Sequence, residues 1–421
     1  MKRIVWDPSG DATHVVEKGG FRTLSGQVGH ILDELRHPDP RVRAATMEAY
    51  PAAVRALERA KLTSETDCRH VRVERAPHLK RVQVEIGARC NLRCSYCFSS
   101  RGPEDGRRLS RQSVLELIEE CDRLGVLGLD LTGGEPLLDP DWELYVIAAR
   151  SAGIAVFLQT NGTLIDERAM RVIEDAGVAG IQVSLDSHVA AVNDAGRGSE
   201  GALAAAIRGM ELVHASSVPL QITLMTYGAN AGHVVDSIRY LAARFRKAVV
   251  NIDRVIAYRP DMDVEPLSPE SHWKALRPFL GRNVRATKVC ETPGMGPGEP
   301  LCGVGYSLVY ITAEGEVAAC PTMTSRESAD LRGPSLAAGG LARAWYESAF
   351  FSRFRYTNCG VADRCEVGRQ CGGGCRSNAY RDVGGTSAPD VVECNLRRNA
   401  TRTWVDFPRR YEQGVFDPVT G

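Results

Sequence analysis

The chain has 421 residues, enough for two or three domains with substantial cores. Its 52 basic and 52 acidic residues cancel, which argues against a nucleic-acid or anionic-membrane partner. Thirteen cysteines, an N-terminus (Met1-Lys2-Arg3-Ile4-Val5-Trp6-Asp7) without an apolar signal core and no run of membrane-spanning length predict a cytoplasmic protein whose thiolates serve as ligands rather than in disulfides.

Residues 1–79 differ in character from the rest of the chain. The stretch 4–24 reads as one or two short strands around the turn Pro8-Ser9-Gly10-Asp11. Residues 27–35 and 42–60 read as helices, broken by His37-Pro38-Asp39-Pro40. Cys68, just after the polar linker Thr63-Ser64-Glu65-Thr66-Asp67, reads as an incidental thiol.

An apolar alternating run, Val82-Gln83-Val84-Glu85-Ile86-Gly87, then leads into Cys90-Asn91-Leu92-Arg93-Cys94-Ser95-Tyr96-Cys97-Phe98. The run predicts a strand ending near Gly87, with the cysteines on the loop that leaves it. A loop this short can curl until three thiolates face one point. Three thiolates around an iron–sulfur cluster leave one iron without a protein ligand, and an open metal position is where chemistry occurs. The alternatives are a zinc knuckle or three buried cysteines. Zinc wants a fourth Cys or His, and the next candidates, Cys121 and His188, stand in no knuckle-like place.

From 81 to 258 a strand–helix alternation repeats six times, with strands expected at 82–87, 127–132, 154–160, 179–185, 219–225 and 248–256. Val114, Leu117, Ile118 and Cys121 recur at helical spacing, which makes Cys121 a core residue. Such alternation predicts parallel strands with helical crossovers, an α/β architecture. Unusual residues cluster where strands end. Thr132-Gly133-Gly134-Glu135-Pro136 follows the second strand and Gln159-Thr160-Asn161-Gly162-Thr163 the third. Ser184-Leu185-Asp186-Ser187 follows the fourth, with Asn193-Asp194-Ala195-Gly196-Arg197-Gly198 on the next loop. Met225 ends the fifth, and Asp253, Arg254 and Tyr258 lie near the end of the sixth. Taken singly, each has a plain reading as a turn, a cap or a core residue.

Residues 260–289 read as a bridge with a short helix around Trp273, and cysteines crowd again beyond it. Cys302 and Cys320 flank a hairpin of two strands, 308–311 and 316–319, turning at Ala313-Glu314-Gly315. Cys359, Cys365, Cys371, Cys375 and Cys394 complete the field, for which paired structural zinc sites are the rival reading.

The first cysteine triad, with Tyr96 before its last member, resembles the signature of the radical S-adenosylmethionine (SAM) enzymes. The resemblance implies a partial (β/α)6 TIM-type barrel over 80–259, with chemistry at the C-terminal strand ends. It implies a 4Fe–4S cluster on Cys90, Cys94 and Cys97, with SAM filling the open iron site and yielding a 5′-deoxyadenosyl radical that abstracts a substrate hydrogen. It further implies that Tyr96 and Phe98 flank the cofactor and that Gly133, Gly134 and Glu135 form the element contacting the SAM amino group. Asn161 belongs to the same pocket, Ser184 and Arg197 hold the methionine carboxylate beside Asp186, and Met225 packs on adenine. The second field resembles the SPASM extension over 290–405, a cysteine-rich iron–sulfur domain with two auxiliary 4Fe–4S clusters. Cys302, Cys320, Cys359, Cys365, Cys371, Cys375 and Cys394 match it, with Cys290 as the eighth ligand, which gives three clusters in all. One departure is visible: five residues separate Cys359 from Cys365, where that family usually has two. Residues 1–79, an α+β stretch, resemble faintly the winged-helix peptide-recognition domain that precedes many peptide-modifying members. A plain N-terminal extension is the alternative, and 406–421 reads as a tail.

Enzymes with this extension mostly modify peptides. The resemblance therefore implies oxidation or crosslinking of an unactivated carbon in a ribosomally made precursor peptide, with leader and core segments, and an external reductant such as flavodoxin or ferredoxin. In the sulfatase maturases of the family an Asp base follows the cysteine matching Cys320, and here Pro321 stands there, unable to take a proton. Dehydrogenation of a small natural-product intermediate is the second reading. A non-catalytic electron carrier is the third, and it has no use for the SAM-pocket elements.

Overall fold

The computed structural model describes residues 2–8, 12–17, 20–63, 68–99, 102–255, 262, 264–279, 284–285, 303–355, 359–360, 365 and 374–398. Three strands, not one or two, open the chain: β1 (Lys2–Asp7), β2 (Ala12–Glu17) and β3 (Gly20–Ser25). They form an antiparallel meander, and β4 (Cys68–Arg72) returns parallel to β1, giving the order β3-β2-β1-β4. Cys68 thus opens an edge strand. Between β3 and β4 lie α1 (Gly26–Leu35), α2 (Pro40–Ala49) and α3 (Pro51–Arg59). Asp39 caps α2 by accepting from the Arg41 amide, with Pro40 at the first helical position. The single helix expected over 42–60 is two helices. Pro51 pushes Tyr50 out of helical geometry (φ −129°, ψ 49°), so the chain must restart its helix there.

This small sheet has two apolar faces. One packs Ile4 and Val15 with Ile31, Leu32, Val54 and Leu57 from the helices. The other sets Val5, Val16 and Val73 against Leu127, Ala155 and Ala179. Those three sit at the N-terminal ends of barrel strands, so the sheet covers the floor of the barrel. Arg3, 1% exposed, crosses the seam and donates to the Val126 and Asp122 carbonyls at 2.5 and 2.7 Å.

The large sheet runs through β5 (Arg81–Gly87), β6 (Gly128–Gly133), β7 (Ala155–Thr160), β8 (Gly180–Leu185), β9 (Leu220–Thr226) and β10 (Val249–Arg254). Each pairs in parallel with its neighbour. Helices α4 (Arg111–Arg123), α5 (Trp142–Ser151), α6 (Glu167–Ala176), α7 (Ala190–Arg197), α8 (Ala202–Ala215) and α9 (Val234–Arg244) are the crossovers. The expected face of α4 is buried, with Cys121 in the core beside Val114, Leu117 and Ile118. This is the expected partial barrel.

Both ends of the sheet are extended. After α10 (Pro269–Leu276), capped by Ser268 and burying Trp273, β11 (Val284–Arg285) adds to β10. At the other end β12 (Leu308–Ile311) pairs in parallel with β5 and antiparallel with β13 (Val317–Ala318). The hairpin between Cys302 and Cys320 is therefore part of the barrel sheet rather than of a separate layer. Glu85 on β5 fixes this join. Fully buried, it accepts from the Tyr310 hydroxyl (2.5 Å) and the Ala313 amide (2.8 Å), and pairs with both terminal nitrogens of Arg326 (3.0 and 2.7 Å). The chain continues through α11 (Gly340–Glu347), α12 (Ala349–Arg355), α13 (Arg376–Val383) and α14 (Val391–Arg398). No helix among the described residues is long and apolar enough to cross a membrane.

Candidate functional site

Residues at the C-terminal ends of β5 to β9 gather around the cysteine loop. Past β5 the chain is held by backbone contacts that leave no room for a side chain at the end of β6. A Cβ on Gly133 would lie 2.1 Å from the Gly87 carbonyl, and one on Gly134 2.3 Å from those of Ala88 and Arg89. The amides of Gly134 and Glu135 bond to Gly87 and Arg89 carbonyls at 2.9 and 2.8 Å. The paired glycines thus anchor the approach to Cys90, a use that the sequence pattern, which points them at a ligand, does not disclose.

Glu135 is 2% exposed. Its carboxylate accepts from the Leu137 amide (3.1 Å), the Thr160 hydroxyl (2.7 Å) and the Asn161 amide (2.8 Å), tying β6 to β7. Burial outweighs those donors and pushes the carboxyl up to about 7. Asn161 in turn donates to Asn91 Oδ1 (2.8 Å), lies 3.8 Å from Cys90 Sγ, and accepts from Thr163. Both residues therefore hold the cysteine loop from beneath.

The other side of the loop rests on α7. Amides of Arg93 and Ser95 donate to the carbonyls of Arg197 and Gly196, both at 3.1 Å. The segment expected as a loop at 193–198 is the end of this helix, closed by Gly198 in the left-handed region (φ 62°). Gly196 is demanded by packing, since a Cβ there would meet the Tyr227 hydroxyl at 1.9 Å and Asp186 Oδ2 at 2.4 Å.

Asp186, fully buried, is the hub of this side. It accepts from the hydroxyls of Tyr96 and Tyr227 (the latter at 3.0 Å), and Arg197 Nη2 lies 2.8 Å from Oδ1. Arg197 Nη1 lies 3.9 Å from Cys94 Sγ. Its Nε, also buried, has no hydrogen-bond partner among the described residues. Asn193, from the run singled out after the fourth strand, accepts from the Asp186 amide at 3.1 Å, whereas Tyr227 and Asn230, which bonds the Asp186 carbonyl at 2.7 Å, belong to the same cluster and carry no motif that marks them in the sequence. Tyr227 directly follows the β9 strand end that singles out Met225, so that rule, carried two residues further, reaches it. Met225 itself is half-buried in an apolar group with Tyr96, Tyr227, Val255 and Cys94. Ser184 and Phe98 are half-buried nearby in sequence to these residues, on β8 and after Cys97.

Burial pushes the Cys90 thiol up to about 11 and Cys94 to about 12, with Arg197 pulling the latter down. Thiolates there need a compensating cation, so filling the site with metal releases protons. Three thiols on one loop, an orphaned guanidinium nitrogen beside them and a wall of strand ends fit an iron–sulfur cluster with an anionic ligand at its side.

At the sixth strand, Arg254 is taken by Asp382 of α13 (2.5 Å) and the Leu267 carbonyl (3.1 Å), which leaves it a structural role. Tyr258 lies outside the described residues. In the second cysteine field, Cys290, Cys302 and Cys371 also lie outside them. Cys320, Cys359 and Cys375 are buried and Cys365 and Cys394 half-buried. Thr322 and Ser377, each two residues past a cysteine, hydrogen-bond at 2.9 Å, which brings the Cys320 turn to the start of α13 at Cys375. Asp390 accepts from the Cys375 amide (2.8 Å) and from amides opening α14, the helix of Cys394. The two fields are joined through Arg107, which bonds the Ser99 carbonyl (2.7 Å), Asp105 and Glu314.

A partial barrel with a three-cysteine loop at its strand ends and a second cysteine field beside it defines an iron–sulfur enzyme of the radical type. The Radical SAM superfamily model matches residues 84–241. The chain is 30% identical over 350 residues to mycofactocin maturase MftC of Mycobacterium ulcerans, covering 77% of this chain and 92% of that one. It is 26% identical to the PqqA peptide cyclase of Gluconobacter oxydans, covering 74% and 89%. Among solved structures, Streptococcus suis SuiB bound to precursor peptide SuiA superposes with TM-score 0.68 at 13% identity, over 94% of this chain and 100% of that one. The chain belongs to the radical SAM superfamily. It is accordingly an enzyme that uses a 4Fe–4S cluster and SAM.

If Arg197 were a solvated loop residue its loss would be silent, but its burial against Asp186 predicts otherwise. Arg197→Ala strands a buried carboxylate and costs about 3–5 kcal/mol of stability, read as a lowered unfolding midpoint. It also weakens SAM binding where the unpartnered Nε serves the SAM carboxylate, the role proposed below. Adding Asp186→Asn restores part of the stability but none of the SAM affinity, and a double-mutant cycle on both readouts separates the two roles. An unchanged SAM dissociation constant removes Arg197 from the SAM site.

Proposed function

We propose that this enzyme oxidises or crosslinks an unactivated carbon of a ribosomally made precursor peptide. The observation that carries this reading is likeness to peptide-modifying relatives, joined to a fold shared with a precursor-bound enzyme over 94% of the chain. When bound, the cluster and SAM supply the carbon-centred radical chemistry. Cys90, Cys94 and Cys97 hold the cluster. Arg197, through Nε, and Ser184 take the methionine carboxylate, Gly133, Gly134, Glu135 and Asn161 shape the amino-group side, and Tyr96, Phe98, Asp186 and Met225 enclose the rest. The electron comes from an external reductant such as flavodoxin or ferredoxin, and the setting is cytoplasmic. Incubation of reconstituted enzyme with SAM, dithionite and a candidate peptide encoded beside its gene is expected to give 5′-deoxyadenosine together with a mass loss confined to the peptide's core. Uncoupled 5′-deoxyadenosine with every such peptide unchanged would favour a small-molecule substrate.

The Cys290, Cys302, Cys320, Cys359, Cys365, Cys371, Cys375 and Cys394 set holds two further 4Fe–4S clusters in this reading. The reconstituted protein then contains about twelve irons per chain. About four irons with two zincs alongside would show a zinc module instead.

A further inference from the structure

We propose that Asp7, His14 and His78 form a divalent transition-metal site, of the kind zinc occupies, that clamps the N-terminal sheet to the floor of the barrel. Asp7 ends β1, His14 lies in β2, and His78 lies on the segment entering β5. One ligand atom from each falls within 4.8 Å of the other two. All three residues are buried, at 3%, 0% and 3% exposure.

The hydrogen bonds around the two rings decide which nitrogens face inward. His78 Nε2 lies 2.9 Å from the Gly125 carbonyl, which can only accept, so the neutral ring carries its proton there. Its Nδ1 then presents a lone pair, and that atom has no hydrogen-bond partner while lying 3.5 Å from an Asp7 carboxylate oxygen. A ring lone pair and a carboxylate oxygen at this distance are two donors that one metal ion can share. On His14, Nδ1 lies 2.9 Å from Thr23 Oγ1, a hydroxyl able to accept from an Nδ1–H, and the buried Nε2 is unpartnered. Metal-ligating imidazoles are oriented in this way, with the second nitrogen fixed by a carbonyl or hydroxyl. Two imidazoles and a carboxylate suit zinc better than magnesium or calcium, which prefer all-oxygen shells. Ligands about 2.0–2.1 Å from a tetrahedral ion stand roughly 3.4 Å apart, so the side chains need to close by about an ångström. Lys80, itself 3% exposed, faces His14 from the strand-entry segment, and its ammonium is the rival cation.

The full-length protein with reconstituted clusters, incubated with one equivalent of Zn(II) and desalted, is read by elemental analysis and zinc K-edge EXAFS. About one zinc per chain is expected, in a nitrogen–oxygen shell with imidazole scattering and no sulfur at about 2.3 Å. In the His14→Ala/His78→Ala double variant that zinc falls at least tenfold while iron content holds. The spectrum of the unaltered chain stands as the test even if the double variant does not fold. Zinc bound through sulfur, or no retained zinc, overturns the site. Zinc retained only after Lys80→Met also overturns it, and makes the Lys80 ammonium the cation the cluster was built around.

Discussion

Cys94→Ala protein is expected to produce no 5′-deoxyadenosine above background under dithionite, while keeping the irons of the two auxiliary clusters proposed above, about eight. Cys94 stands at the centre of the loop, 3.9 Å from the Arg197 guanidinium and in the apolar group of Tyr96 and Tyr227. Two thiolates cannot hold a cluster that leaves one iron free for SAM, so the loss is complete rather than graded. The second cysteine field is fixed by its own contacts, Thr322 to Ser377 and Asp390 to Cys375, none of which passes through the Cys94 loop. The clusters proposed for it should therefore survive. The measurement is SAM cleavage beside iron and sulfide analysis of the same sample. Normal 5′-deoxyadenosine output would remove Cys94 from the catalytic triad.

The barrel is legible in the sequence because most of its strands are short alternating apolar runs and its helices keep a clear period, as the six strands at β5 to β10 show within about a residue or two of their expected limits. The strand-end rule then finds Glu135, Asn161, Asp186 and Arg197, which the fold gathers around one loop. Direction is what a sequence does not carry. Arg197 is as much a partner of Asp186 as a ligand for anything else, and Gly133 and Gly134 face backbone at the end of β5. Such roles depend on which chain segment lies opposite, and that is set by packing, of Gly133 on Gly87 and of Arg197 on Asp186 and the Cys94 loop. The N-terminal sheet is harder to read for a related reason. β1 is buried on both faces, so it shows no alternation, and β4 comes after three helices, where nothing local announces that it returns to β1. Likewise the 308–311 strand gives no local sign that its partner is β5.

The second large effect concerns the peptide. Removing residues 1–75 looks from the sequence like a clean test of a recognition domain, but the structure predicts that it exposes Leu127, Ala155 and Ala179 and strips Arg3 from the Asp122 and Val126 carbonyls. The truncated barrel should be unstable, so its failure would say nothing about recognition. We infer instead that the leader adds as a strand at the outer side of β3, an edge of the four-stranded sheet whose only strand partner among the described residues is β2. That sheet covers the barrel floor, opposite the strand ends that carry the cysteine loop, so the tether must run around the barrel to bring the core segment to the site. Its gain is effective concentration rather than new contacts, and a core peptide without its leader should lose at least a hundredfold in kcat/KM. Precursor peptide should slow amide exchange in β3 (Gly20–Ser25) at least tenfold and leave β1, already paired on both sides, unchanged. Equal turnover of leaderless and full-length peptide, with β3 exchange unaltered, would remove recognition from the N-terminal sheet and leave it the role of a floor for the barrel.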